Sequence, residues 1–230
     1  MMRRTWLITV ALLLMTFACS TITFALTLNY ASVSGSTITF NGTNRTFDFP
    51  NTATYDFVIS DEEGGGAAVG LQGNIGGPFT IGQITTTIIK GVVYETSTVS
   101  GSGTFSIYDD NNYTLTAAIT WPAMDAIKYN KNVSSGLLNT EGTANITNIQ
   151  YVGNNVDLLF LKNNQPATSI VTFQFIFPGQ SLTQLATLGE MKSTTISGSL
   201  SAIPIPASAL LLGSGLIGLV GLRYRRKRQD

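Results

Sequence analysis

Apolar and polar residues alternate along most of the chain. "STITFNG" (36–42), "TYDFVIS" (54–60), "GTFSIYD" (103–109) and "YTLTAAITW" (113–121) each place every second residue on an apolar face. "TANITNIQYV" (143–152), the run "NVDLLFL" that ends at Leu161, "SIVTFQFIF" (169–177) and "STTISGSLSA" (193–202) extend the series. Alternation with period two, carried by Val, Ile, Thr and aromatic residues, predicts strands with one buried face. "DDNN" (109–112) separates two of these runs and predicts a hairpin turn, because Asp and Asn tolerate turn conformations. "GNN" (153–155) predicts a second hairpin over 143–161. "DEEGGG" (61–66) and "KNNQP" (162–166) read as loops. The one stretch with helical spacing is "SLTQLATLGE" (181–190), where Leu182, Leu185 and Leu188 recur and Gly189 ends the pattern. Short strands between turn signals predict an all-β body from 26 to 202, an antiparallel β-sandwich or jelly-roll-like fold.

Two segments break the alternation. Residues 1–25 begin with Arg3 and Arg4, continue through an apolar centre from Trp6 to Phe17 and end on small residues. This is the layout of a secretory signal peptide, with cleavage after Ala25 or, earlier, after Ser20. Its apolar centre predicts a signal helix too short to span a bilayer comfortably. Cys19 raises lipid attachment, but Thr16 and Phe17 do not suit the preceding positions. Residues 203–230 form the other exception. A Pro-x-Pro step leads into "ASALLLGSGLIGLVGL" and then "RYRRKR". A short glycine-dotted apolar stretch predicts a C-terminal transmembrane helix, and the basic cluster after it would hold the end in the cytoplasm.

Charge and composition narrow the chemistry. The net charge of the whole chain is zero, yet 26–206 carries six basic residues against twelve acidic ones. An acidic body without a basic stripe gives nucleic acid no footing. The chain has no histidine, which excludes His-dependent triads and His-ligated zinc. Its single cysteine, Cys19, lies in the leader, so the body has neither a disulfide nor a thiol nucleophile. Carboxylate pairs for glycoside hydrolysis have many candidates: Asp61, Glu62, Glu63, Glu95, Asp109, Asp110, Asp125, Glu141, Asp157 and Glu190. None sits in a recognisable motif. The groups "DDNN" and "DEE" (61–63) supply oxygens suited to calcium, in a spacing that matches no calcium loop. The glycine-rich stretch 62–78 lacks the lysine and following helix of a phosphate loop. Asn41, Asn44, Asn112, Asn132 and Asn145 begin N-x-[ST] sequons, and Asp110 precedes Asn112 by two. Tyr108, Tyr113, Trp121 and Tyr129 are candidates for a sugar-binding face or for the core. No catalytic, cofactor or metal site is therefore assigned.

The tail resembles the PEP-CTERM sorting signal of exported Gram-negative bacterial proteins. The matching residues are Ile203, Pro204, Ile205, Pro206 and Ala207, then the apolar span, then Arg223, Arg225, Arg226, Lys227 and Arg228. The usual glutamate is replaced by Ile205, as in the VPxPA-type variant. The resemblance implies Sec-dependent export, transient retention in the inner membrane, and processing by an exosortase-type enzyme. It also implies a final place in the cell envelope, at the outer surface or in the extracellular matrix, with a link to envelope polysaccharide. It implies no activity for the body. The expectation is a non-enzymatic surface or matrix protein; a carbohydrate-binding module and a carboxylate-based hydrolase are the alternatives.

Overall fold

The computed structural model describes residues 25–202, apart from 51–52, 129–138, 175–179, 188 and 190. Among the described residues, twelve strands run in chain order: β1 (Leu26–Ser32), β2 (Ile38–Asn41), β3 (Thr46–Asp48), β4 (Phe57–Glu63), β5 (Gln72–Ile75) and β6 (Phe79–Ile89). They continue with β7 (Val92–Ser100), β8 (Ser102–Tyr108), β9 (Thr114–Lys128), β10 (Asn139–Gln150), β11 (Ala167–Gln174) and β12 (Met191–Ala202). Two short helices interrupt them: α1 (Val156–Asn163) and α2 (Leu182–Thr187).

All twelve belong to one antiparallel sheet that closes on itself through the pairing of β1 with β12. β1 and β2 follow one another along the same partner, β12. β3 pairs with β2 and β4 with β1, so these two also share one position. β5 and β6 lie opposite β8 and β7, and β8 and β7 in turn both pair with β9. Counted by position, the wall has eight strands, and neighbours in space are neighbours in the chain. The antiparallel all-β expectation holds. The strands form one closed sheet wound as an up-and-down meander, in place of the expected two-sheet sandwich or jelly roll.

Aromatic rings pack against one another in the interior. Phe47 touches Phe40, Phe79 and Trp121, with ring centroids 5.5, 5.2 and 5.5 Å away. Phe57 stacks on Phe105 at 5.3 Å and meets Tyr30 at 4.9 Å. An eight-position barrel is just wide enough to be filled by side chains, and here aromatic rings fill it. Gly142 makes room for the largest of them: a β-carbon there would lie 2.6 Å from the Trp121 ring. Outward positions are mostly Ser, Thr and Asn. One row runs Ser102, Thr120, Asn145, Thr168, Ser201 and Thr27 across six neighbouring strand positions. Apolar inside and hydroxyl outside is the reverse of a lipid-facing barrel wall.

The segment ending at Leu161 departs from the strand expectation, and 143–161 is not a hairpin. Asn155 caps α1: its Oδ1 accepts from the N–H groups of Asp157 and Leu158 at 3.1 and 3.2 Å. Asp157 in the first turn and Lys162 in the last complement the helix dipole. Leu158 and Leu161 turn inward at helical spacing. Residues 158–161 are an unbroken apolar run, so periodicity favoured neither element. β4 also continues through Glu63, where a loop was expected, because Glu62 and Glu63 still pair with β1.

Candidate functional site

Asp109 shows why "DDNN" is a turn and not a cation loop. Its Oδ1 accepts from the Asn111 N–H at 2.8 Å and from the Asn111 amide at 3.1 Å. Its Oδ2 accepts from the Tyr151 hydroxyl. The Tyr151 hydrogen bond holds the Asp109 carboxyl below its ordinary range. Tyr151 in turn accepts from the Asn155 N–H at 3.0 Å, tying the turn to the start of α1. Every Asp109 oxygen therefore has a protein partner. Among the described residues, no group of three or more Asp, Glu, Cys or His side chains is arranged for a metal.

Two of the candidate carboxyl groups do meet. Glu62, near the end of β4, faces Asp157 in the first turn of α1. Asp157 is buried, and its Oδ2 accepts from the Ala68 N–H at 2.8 Å. Glu62 Oε1 accepts from the Gly65 N–H. Glu62 Oε2 is buried and meets no N–H or hydroxyl donor among the described residues. Burial pushes the Asp157 carboxyl above its ordinary range, and the adjacent Glu62 adds to the shift. Burial also opposes the Glu62 charge, but hydrogen bonds from Gly65, Gly66 and Asp157 outweigh it and lower its pKa. The opposite shifts mark a coupled pair in which Asp157 holds a proton more readily than Glu62. The loop backbone closes over the pair. A β-carbon on Gly65 would sit 2.8 Å from Asp157 Oδ1, so glycine lets the loop backbone pass close to the pair.

The remaining acids do not join this pair. Glu95 points inward from β7 and caps α2, accepting from the Thr183 N–H at 3.0 Å and the Thr183 hydroxyl at 2.9 Å. Asp56 is buried in the break between β3 and β4, where it accepts from the Ile75 N–H at 2.7 Å. Desolvation raises its pKa against that bond. Asp125 and Glu141 are exposed, directly opposed residues on β9 and β10. Asp61 and Glu63 are exposed on β4, Asp110 lies in the turn, and Glu190 lies outside the described residues.

An open groove of about 370 Å³ crosses the outer wall over β1, β4, β11 and β12. Asn29, Ser60, Thr172, Ser197 and Ser199 line it, with Ile170 at its side and Tyr30 beneath. Tyr30 is only 2% exposed, and its hydroxyl is bonded to Ser169 at 2.7 Å. The candidate aromatic residues lie elsewhere. Trp121 belongs to the core. Tyr108 is half-buried against Tyr55, with ring centroids 5.2 Å apart, and Asn74 donates to its hydroxyl at 3.3 Å. Tyr113 is 44% exposed beyond the "DDNN" turn. Tyr129 lies outside the described residues. The hydroxyl groove was not visible as a motif; only the repeated outward Ser and Thr of the strands hint at it.

The sorting residues Ile203, Pro204, Ile205, Pro206 and Ala207, the basic residues Arg223, Arg225, Arg226, Lys227 and Arg228, and nearly all of the leader lie outside the described residues. No helix among the described residues is long and apolar enough to cross a membrane. No protein-family model matches the chain, and neither does any curated protein or solved structure.

Proposed function

We propose that the chain is a non-enzymatic exported surface or matrix protein, delivered through a C-terminal sorting signal read by an exosortase-type enzyme. The observation that carries this reading is the tail: Ile203-Pro204-Ile205-Pro206-Ala207, a short apolar span and a terminal arginine cluster, in that order. The last wall strand, β12, ends at Ala202, so the Pro-x-Pro step begins as soon as the body is complete. Residues 1–25 act as the signal helix for Sec export. Leu210–Leu222 is the transient transmembrane helix, and the basic end fixes topology. A carboxylate hydrolase is not the favoured reading, because the Glu62 and Asp157 carboxyls are each engaged by backbone N–H groups of the 64–68 loop. Replacing Pro204 and Pro206 by Ala tests the proposal. The variant accumulates in the inner membrane with its tail intact, whereas the parent reaches the envelope. Equal delivery of both would end the sorting claim.

A polysaccharide-binding reading is favoured by one observation, the groove lined by hydroxyl and amide side chains. Retention of the protein on envelope polysaccharide, lost on Ser199→Trp substitution in the groove, would support it. No retention by the parent would remove it.

A further inference from the structure

One part of the wall is not closed. β6 pairs with β3 only at Phe79 and Thr80, and Arg45 extends that contact by bonding the carbonyls of Ile81 and Gly82. Beyond Gly82, β6 keeps β7 on one side. Its other edge, Gln83–Ile89, has no strand partner among the described residues. Ile84 still packs against the core, but the tip of the ribbon is exposed. Ile88 is 69% and Ile89 is 53% exposed, and both flank the Lys90-Gly91 turn.

An open edge offers its unpaired peptide groups to any strand that fits, so proteins usually guard it with charge, proline or a bulge. "QITTTII" (83–89) has no charge and no proline, and the bulge of β6 lies before Ile84. It is also self-complementary. An antiparallel pairing centred on Thr86 sets Ile84 opposite Ile88 of a second copy, and Thr86 opposite Thr86. On the other face it sets Thr85 opposite Thr87. Matched β-branched pairs are the favourable cross-strand combinations, and the arrangement is two-fold, as a closed dimer requires. The acidic excess of the body disfavours contact between copies elsewhere, whereas this edge carries no charge to repel its twin.

We infer that the β6 edge is a homodimerisation surface, joining two copies through antiparallel pairing of Gln83–Ile89. Seven residues per copy are fewer than the roughly twenty of a standard interface, so association depends on concentration. It is therefore strongest where the protein is densely displayed.

Sedimentation velocity on the intact protein in mild detergent tests this. The average mass rises from monomer towards dimer with concentration, and Thr87→Lys abolishes the rise while leaving the circular dichroism unchanged. Thr86→Cys in a Cys19→Ser background gives an independent readout. A short bis-maleimide links it into dimers, and Thr98→Cys on the β7 face stays monomeric. A parent that is monomeric at every concentration would overturn the inference. So would a Thr87→Lys protein that still dimerises, or a monomer whose 84–88 amides are protected from exchange by another part of its own chain.

Discussion

The inside and the outside of this wall are made by the same strands and obey different rules. Inward residues are large, aromatic and mutually fitted: Phe40, Phe47, Phe79, Trp121 and Phe173 form one continuous contact. Outward residues are small and hydroxylated, and each touches mainly solvent and its cross-strand neighbour, as Thr39 and Ser193 do at 2.9 Å. Shape is thus specified from within, where a methylene matters. The outside fixes little beyond solubility and is free to carry recognition.

The comparison breaks most visibly at Trp121. Trp121→Ala removes the largest buried side chain and lowers stability by about 3–5 kcal/mol, measured by urea unfolding. Among the described residues no acceptor faces its indole N–H, so Trp121→Phe, which deletes that donor, costs less than the alanine change.

Next comes Glu95, a carboxylate in the interior that earns its place by capping α2. Glu95→Ala leaves Thr183 without its two partners and lowers stability by about 1–3 kcal/mol. The loss shows in the same unfolding assay and in faster amide exchange across 182–187.

The Glu62–Asp157 pair has a local effect with a definite sign. The raised Asp157 pKa means that its contribution is complete below the ordinary carboxylate range and fades as pH rises through the raised value. The lowered Glu62 pKa works oppositely, its contribution fading as pH falls. The latch between the 64–68 loop and α1 is therefore firmest at mildly acidic pH. Exchange at the Gly65 and Ala68 amides quickens on going to alkaline pH, apart from the intrinsic rate. Asp157→Asn, which keeps a donor for Glu62 and an acceptor for Ala68, removes that dependence.

The smallest effect sharpens the outer side of the comparison. Asp125 and Glu141 oppose each other on the exposed wall, an unfavourable like-charge pair. Glu141→Lys raises stability by about 0.2–1 kcal/mol, less at high salt. A gain as large as the Trp121 loss would mean that the outer wall does specify shape.

Much of the wall was legible because alternation reports burial directly, as "GTFSIYD" and "YTLTAAITW" do for β8 and β9. The ribbon of β6 and β7 was not, because both faces of its tip are exposed and its Thr-rich sequence has no apolar period. α1 was misread because four apolar residues in a row carry no period at all, and its real signal was Asn155 followed by Asp157. The Glu62–Asp157 pair joins residues far apart in sequence, which no spacing rule reaches. The groove is made of residues from four strands and depended on knowing which were neighbours. The tail of residues 203–230, in contrast, is contiguous, so its resemblance to a sorting signal could be seen without knowing the fold.

Mass spectrometry of the mature protein from its native host tests the central claim most directly. The account predicts a new C-terminus near Pro206, with the apolar span and arginines gone. A mature chain still ending in "RYRRKRQD" would contradict it.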